Sequence, residues 1–157
     1  RQEAHLSNNV DDEQLLENIQ AFTENGDVKR GAILFFAQHP EELFFHAVVR
    51  CTQFKGTDKL LIIDDKTFGG PLVSQYEQAL GWLQDKLKLE YDIHGVGART
   101  EKWEMPLDVF REALINALAH RDYYEQGAFT SVEVYDDRIE ITIPGGLLPI
   151  VAKHFGR

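Results

Sequence analysis

PLDVFREALINALAHRDY, residues 106–123, and its sequel FTSVEVYDDRIEITIPGGL, residues 129–147, decide how this chain is read. Proline in a first turn, followed by a run without glycine, predicts a helix over 106–121. At ~100° per residue, Glu112, Asn116 and His120 fall within one arc of roughly 80°. The other residues between 113 and 119 are apolar: Ala113, Leu114, Ile115, Ala117, Leu118 and Ala119. A helix apolar on nearly all sides is covered by its neighbours, so the polar arc either finds internal partners or lines a cavity.

The sequel alternates. Val132 and Val134 are interleaved with Ser131, Glu133 and Tyr135, and Ile139, Ile141 and Ile143 with Arg138, Glu140 and Thr142. With Asp136-Asp137 as a tight turn, this predicts a β-hairpin with one apolar face. It ends at Pro144-Gly145-Gly146, where two glycines either let backbone approach a ligand closely or make a turn.

Working outward, 1–10 is polar and without period, a tail or linker. Leu15, Leu16, Ile19 and Phe22 share a face and predict an amphipathic helix over 11–24. The apolar run AILFFA, 32–37, stopped by Gln38-His39-Pro40, suits a strand buried on both faces. Residues 44–54 and 59–63 suggest two more strands of a meander, joined by the turn Lys55-Gly56-Thr57-Asp58. After Gly69-Gly70-Pro71 comes the longest predicted helix, with Leu72, Tyr76, Ala79, Leu80, Leu83 and Leu87 as its apolar stripe. Its Gln75, Glu77, Gln78, Asp85, Lys86 and Lys88 suggest a solvated face. The expected fold is α+β, one domain over 11–157, with helices near 11–24, 71–90 and 106–121 packed on a mixed or antiparallel sheet.

Twenty-six acidic against 16 basic residues give a net charge of −10, which speaks against this chain gripping a phosphate backbone; DNA would be met through other domains. No apolar run approaches the roughly 18 residues that span a bilayer, and no signal-peptide pattern opens the sequence, which suggests a cytoplasmic protein. Cys51 lies in the strand-like AVVRCTQF, where a small buried hydrophobe is expected. His39 and His46 have no zinc-ligand spacing, and His5, His94 and His154 are isolated. Gly95-Val96-Gly97 lacks the third glycine of a dinucleotide fingerprint, and no GxxxxGK[ST] is present.

A carboxylate and a carboxamide four residues apart suit metal-assisted phosphoryl chemistry. Glu112 could orient or deprotonate a water, Asn116 could offer its oxygen to Mg²⁺, and His120, Arg121 and Tyr123 lie where a cation could meet phosphate oxygens. The competing reading is structural: His and Arg in a last turn complement the helix dipole, and a buried Asn bonds backbone.

FREALINALAHRDY followed by VEVYDDRIEITIPGGLLP resembles a bacterial and archaeal family of transcriptional regulators related to the RecG DNA helicase. The C-terminal half of that family is a divergent ATP-binding domain akin to the GHKL (Bergerat-fold) ATPases. GAILFFAQHPEELFFHAVVRCTQFKG and FGGPLVSQYEQALGWL resemble its upstream segments, so the likeness spans about 11–149. It implies a family-specific part over 11–100 and a GHKL-like motif region over 101–157. By the same resemblance Glu112 is the catalytic base position and Asn116 the Mg²⁺ position of the N-box. Gly145 and Gly146 correspond to the loop that holds the adenine end of the nucleotide. Ile143 departs from the family's Asn before Pro-Gly-Gly and replaces a polar base contact with an apolar side chain. The sequence given also ends at Arg157, before a second glycine-rich segment, which implies a site incomplete at its C-terminal end. The expected function is an ATP-binding module of a multidomain DNA-associated regulator, with homo-oligomers as possible assemblies; the alternative is a non-catalytic interaction or dimerisation domain. Without a P-loop, the RecG kinship implies no helicase motor in these residues.

Overall fold

The structure, a computed structural model, describes residues 11–93, 106–144 and 150–153. It is α+β. A short helix α1 (Asp12–Asn18) and α2 (Arg30–Phe36) precede strands β1 (Val49–Lys55) and β2 (Leu61–Phe68); then come α3 (Leu72–Ile93), α4 (Leu107–Ala119), the hairpin β3 (Thr130–Val134) and β4 (Arg138–Thr142), and β5 (Ile150–Lys153). The strands form one mixed sheet in the order β2-β1-β3-β4-β5, with β1 and β3 parallel and the other pairs antiparallel.

The hairpin follows its alternation. Val132 pairs with Ile141 and Val134 with Ile139, and all four are buried on the face that meets the helices. Its Asp136 turn is tied to the β1–β2 turn, because Asp136 N–H donates to the Gly56 carbonyl at 3.0 Å and Asp136 Oδ2 accepts from Gly56 N–H at 2.9 Å. Gly56 sits at φ +87°, a left-handed conformation that glycine adopts without a Cβ penalty. Cys51 is fully buried in β1, as expected of a small hydrophobe, and burial pushes its thiol up to about 12.

α3 and α4 lie against the same sheet face. Leu72, Ala79, Leu80 and Leu83 of α3, and Phe110, Ala113, Leu114, Ala117 and Leu118 of α4, join Val49, Cys51 and the hairpin residues in one core. The opposite sheet face carries paired charges around a buried stack of Phe54 on Tyr135, with ring centroids 5.1 Å apart. Arg50 forms a two-pronged bond with Asp65, at 3.0 and 2.6 Å, Lys59 bonds Glu133 at 2.8 Å, and Arg138 lies 3.8 Å from the Tyr135 ring centroid.

Three expectations about the elements are corrected. AILFFA is not a strand: it belongs to α2, where only Leu34 is buried and Phe35 and Phe36 are 50% and 54% exposed. A strand buried on both faces needs partners on either side, and this segment instead lays one side against α3. The meander is a single hairpin, since the strand on the other side of β1 is the distant, parallel β3. The first helix ends at Asn18; Phe22 pairs with Val28 in an isolated bridge, and no α1 residue is buried.

The solvated face assigned to α3 holds at Glu77, Gln78 and Asp85 and is corrected at Gln75 and Lys86. Gln75 is fully buried, donating from Nε2 to the Ala47 carbonyl at 2.8 Å and to the Gly70 carbonyl at 2.7 Å. Lys86 is largely covered and pairs with Asp64 at 2.5 Å, while Trp82 Nε1 donates to the same carboxylate at 3.0 Å. Lys86 and Trp82 hold the Asp64 carboxyl below its usual range.

Candidate functional site

α4 gathers Glu112, Asn116 and His120 onto one side, and that side is the open one. Glu112 and His120 are exposed and Asn116 is half-buried, while Phe110, Ala113, Leu114, Ala117 and Leu118 form the inward face. The expectation of a helix covered on nearly all sides is therefore corrected, because Ile115 is 52% exposed and Ala119 is exposed. The apolar count misled because Ala119, on the outward side, adds little apolar area and Ile115 is left half exposed. The arc requires neither internal partners nor an enclosing cavity. It is accessible to a ligand approaching from outside.

Arg121 leaves that arc. α4 ends at Ala119 with His120 as its C-cap, so the chain beyond no longer follows the helical wheel. The Arg121 guanidinium turns inward and is 4% exposed. Its Nη1 donates to the Val48 carbonyl at 3.2 Å and to Thr130 Oγ1 at 3.4 Å, and its Nη2 to the Ala128 carbonyl at 2.9 Å and to the His46 carbonyl. Burial lowers its pKa from the ordinary arginine value. Here the structure corrects the placement of Arg121 beside phosphate oxygens: both Nη groups bond the protein at the junction of α4 with β1 and β3, and Nε is buried there without a hydrogen-bond partner among the described residues.

Tyr123 completes the same corner. Its hydroxyl donates to the Leu118 carbonyl at 2.8 Å, and burial pushes that hydroxyl up to about 12. Its own carbonyl accepts from Arg30 Nη1 at 2.9 Å and lies 3.2 Å from His46 Nε2. Arg30 in turn sits between the rings of Phe44 and Tyr124, at 4.6 and 4.2 Å from their centroids. In the string His120-Arg121-Asp122-Tyr123 the side chains thus alternate: His120 and Asp122 face solvent, while Arg121 and Tyr123 anchor the end of α4.

Ile143, just past β4, is half-buried and packs against the core alongside Ile139 and Ile141, as its alternation predicts. Gly145 and Gly146 lie outside the described residues, as does the tail 1–10. Among the described residues no group of three or more His, Cys, Asp or Glu is placed to hold a metal ion. A cation at the arc would rest on the Asn116 oxygen and on the oxygens of its own ligand, a donor set that suits Mg²⁺.

The flank of α4 away from Asn116 and His120 lines an apolar groove of about 360 Å³ shared with α2 and α3, including Leu34, Phe35, Val73, Tyr76, Ile115 and Leu118. Sequence reasoning missed this groove because it read α2 as a strand. The adjacent phenylalanines Phe35 and Phe36, too many for one covered face, were the available signal.

The chain matches no protein-family model, and comparison with curated proteins and with solved structures finds no match. Among the described residues no helix is long and apolar enough to cross a membrane.

Proposed function

We propose that this chain is the ATP-binding, GHKL-like module of a multidomain, cytoplasmic, DNA-associated regulator of the RecG-related kind. One observation carries the reading: Glu112 and Asn116, one turn apart, stand on the accessible side of α4, while the other side of that helix is fixed in the core with Ile139 and Ile141. That combination is what a rigid helix needs to present polar groups to a ligand. It adds to the resemblance of REALINALAHRDY and the following hairpin.

In this reading the Asn116 carboxamide oxygen offers a hard ligand to the Mg²⁺ of Mg-ATP, and the Glu112 carboxylate orients or deprotonates a water one helical turn away. The bound cation would supply charge neutralisation on the phosphates. His120 stands at the exposed end of the same arc, and Ile143 offers an apolar surface ahead of Gly145 and Gly146 in the sequence. Arg121 and Tyr123 hold the C-terminal end of α4 in place. The charge of −10 leaves DNA contact to other domains.

The test is a melting curve with and without millimolar Mg-ATP or a non-hydrolysable analogue. The expected outcome is a rise in melting temperature that Asn116→Ala removes without lowering the ligand-free melting temperature, since Asn116 is only half-buried. A chain whose melting is indifferent to nucleotide sinks the proposal. That result favours the second reading, a non-catalytic interaction domain, for which the observation is the apolar surface of Phe35, Val73 and Ile115 around the groove, each about half exposed.

A further inference from the structure

β2 forms one edge of the sheet, and among the described residues no strand pairs with its outer side. Natural sheet edges usually carry charges, bulges or proline that keep another strand away. The two halves of β2 differ in this respect. Pairing with β1 runs Gln53↔Asp64 and then Phe54↔Ile62, so Ile63 is the extra residue of a bulge. Beyond it, Asp64, Asp65 and Lys66 put charge on the edge. Before it, Leu60, Leu61, Ile62 and Ile63 are contiguous, apolar and 82%, 61%, 56% and 56% exposed. Leu61, Ile62 and Ile63, with Leu60 just before the strand, expose roughly 500 Å² per chain, divided between the two faces of the sheet, as much as the largest apolar patch on a typical monomer.

We propose that this half of β2 is where two copies of the chain meet, antiparallel, about a two-fold axis at Ile62. A two-fold pairing makes each contact twice. Centred on Ile62, it sets Ile62 against its own copy, Leu61 against Ile63 and Leu60 against Asp64, and brings Lys59, bonded to Glu133 of its own chain, toward the Arg50–Asp65 pair of the other. Apolar side chains then fill the centre and opposite charges the rim, the usual anatomy of an interface. Sliding the axis toward the middle of the strand sets Asp64 against Asp64 or Asp65 of the copy, which like-charge repulsion disfavours. The charges therefore select the register that the apolar patch favours. The bulge keeps the backbone ladder short, and side-chain burial supplies most of the attraction. The inference is independent of nucleotide binding and is tested without nucleotide.

Sedimentation velocity of the chain at up to ~200 µM is expected to show a dimer, and Ile62→Lys, at a site already exposed to water, a folded monomer. Ile62→Cys under mild oxidation is expected to form a disulfide-linked dimer, because the axis places the two thiols face to face; Lys66→Cys is the control that does not. The buried Cys51 does not compete. A wild-type monomer at the highest concentration, or cross-linking of Lys66→Cys as readily as Ile62→Cys, overturns the proposal.

Discussion

Replacing Arg121 by methionine separates two roles that the sequence alone left joined. The side chain is 4% exposed and donates to three backbone carbonyls and one hydroxyl drawn from the segment before β1, the loop before β3 and β3 itself. Methionine keeps the apolar stem, ends near the position of Nε, and leaves those acceptors without donors. A buried acceptor deprived of its partner costs about 1–3 kcal/mol. Two effects reduce the total: relaxation returns some acceptors to water, and the variant no longer buries a guanidinium that burial already disfavours. A net loss of about 3 kcal/mol is expected, a large share of the roughly 5–15 kcal/mol that holds a domain together. For a chain of 157 residues this lowers the melting temperature by about 6–12 °C. Urea unfolding followed by far-UV circular dichroism measures it, with calorimetry as a second probe. The effect on nucleotide is the discriminating part: the ligand-induced rise in melting temperature should survive, reduced only as far as the fold is loosened. A variant with unchanged stability and no nucleotide response would refute the reasoning and return Arg121 to the phosphates.

Gln75→Leu keeps the volume of a fully buried side chain but removes the donor to the Ala47 and Gly70 carbonyls, and should cost about 2 kcal/mol by denaturant midpoint. A loss under half of that would mean that the turn before α3 holds its shape without the bridge. Acid should destabilise the fold through Asp64 and Asp65, whose folded pKa values are lowered by hydrogen bonds from Lys86 and Arg50 respectively. A lowered carboxylate contributes stability above its unfolded value, ordinarily 3.8, and loses it as pH falls through the folded value. Melting temperature should therefore hold from pH 7 to about 5 and drop below about 4, with a shallower drop in Asp64→Asn; an identical acid profile in that variant would remove Asp64 from the account. Cys51, its thiol raised to about 12 by burial, should resist a thiol reagent at pH 8 in the folded chain and react fully in denaturant.

Much of this fold could be read from residue order. The hairpin was legible because strict alternation and a two-aspartate turn admit one register, and Val132 does face Ile141. α3 was legible from its apolar period, and α4 from Pro106 and the long run without glycine after it. Two failures share a cause, the use of residue type where angle was needed. Gln75 stands three residues after Leu72 and four before Ala79, so the helical wheel places it beside the buried stripe, and only its amide suggested solvent. AILFFA carries no period because every residue is apolar, and such a short run reads equally as strand or helix. At the site, the spacing of Glu112 and Asn116 was enough to put them on one side of α4. The inward turn of Arg121 was not legible, because it depends on where the helix stops and on carbonyls from residues 46–48, far away in sequence.

The parallel pairing of β1 with β3 has a consequence for how the chain acquires its shape. Val49 meets Thr130 and Gln53 meets Val134, partners about eighty residues apart, with both long helices in the intervening segment. The two hairpins and the helices can form from local contacts within microseconds, but this central ladder must close a long loop first. Folding is expected to be limited by that closure, with hairpin substitutions away from β1 and β3 chiefly speeding unfolding. It also means that a cut between residues 100 and 101 divides one sheet: the N-terminal piece would keep β1 with one flank bare, the C-terminal piece would keep β3 likewise, and the two, mixed, are expected to recover native structure by complementation.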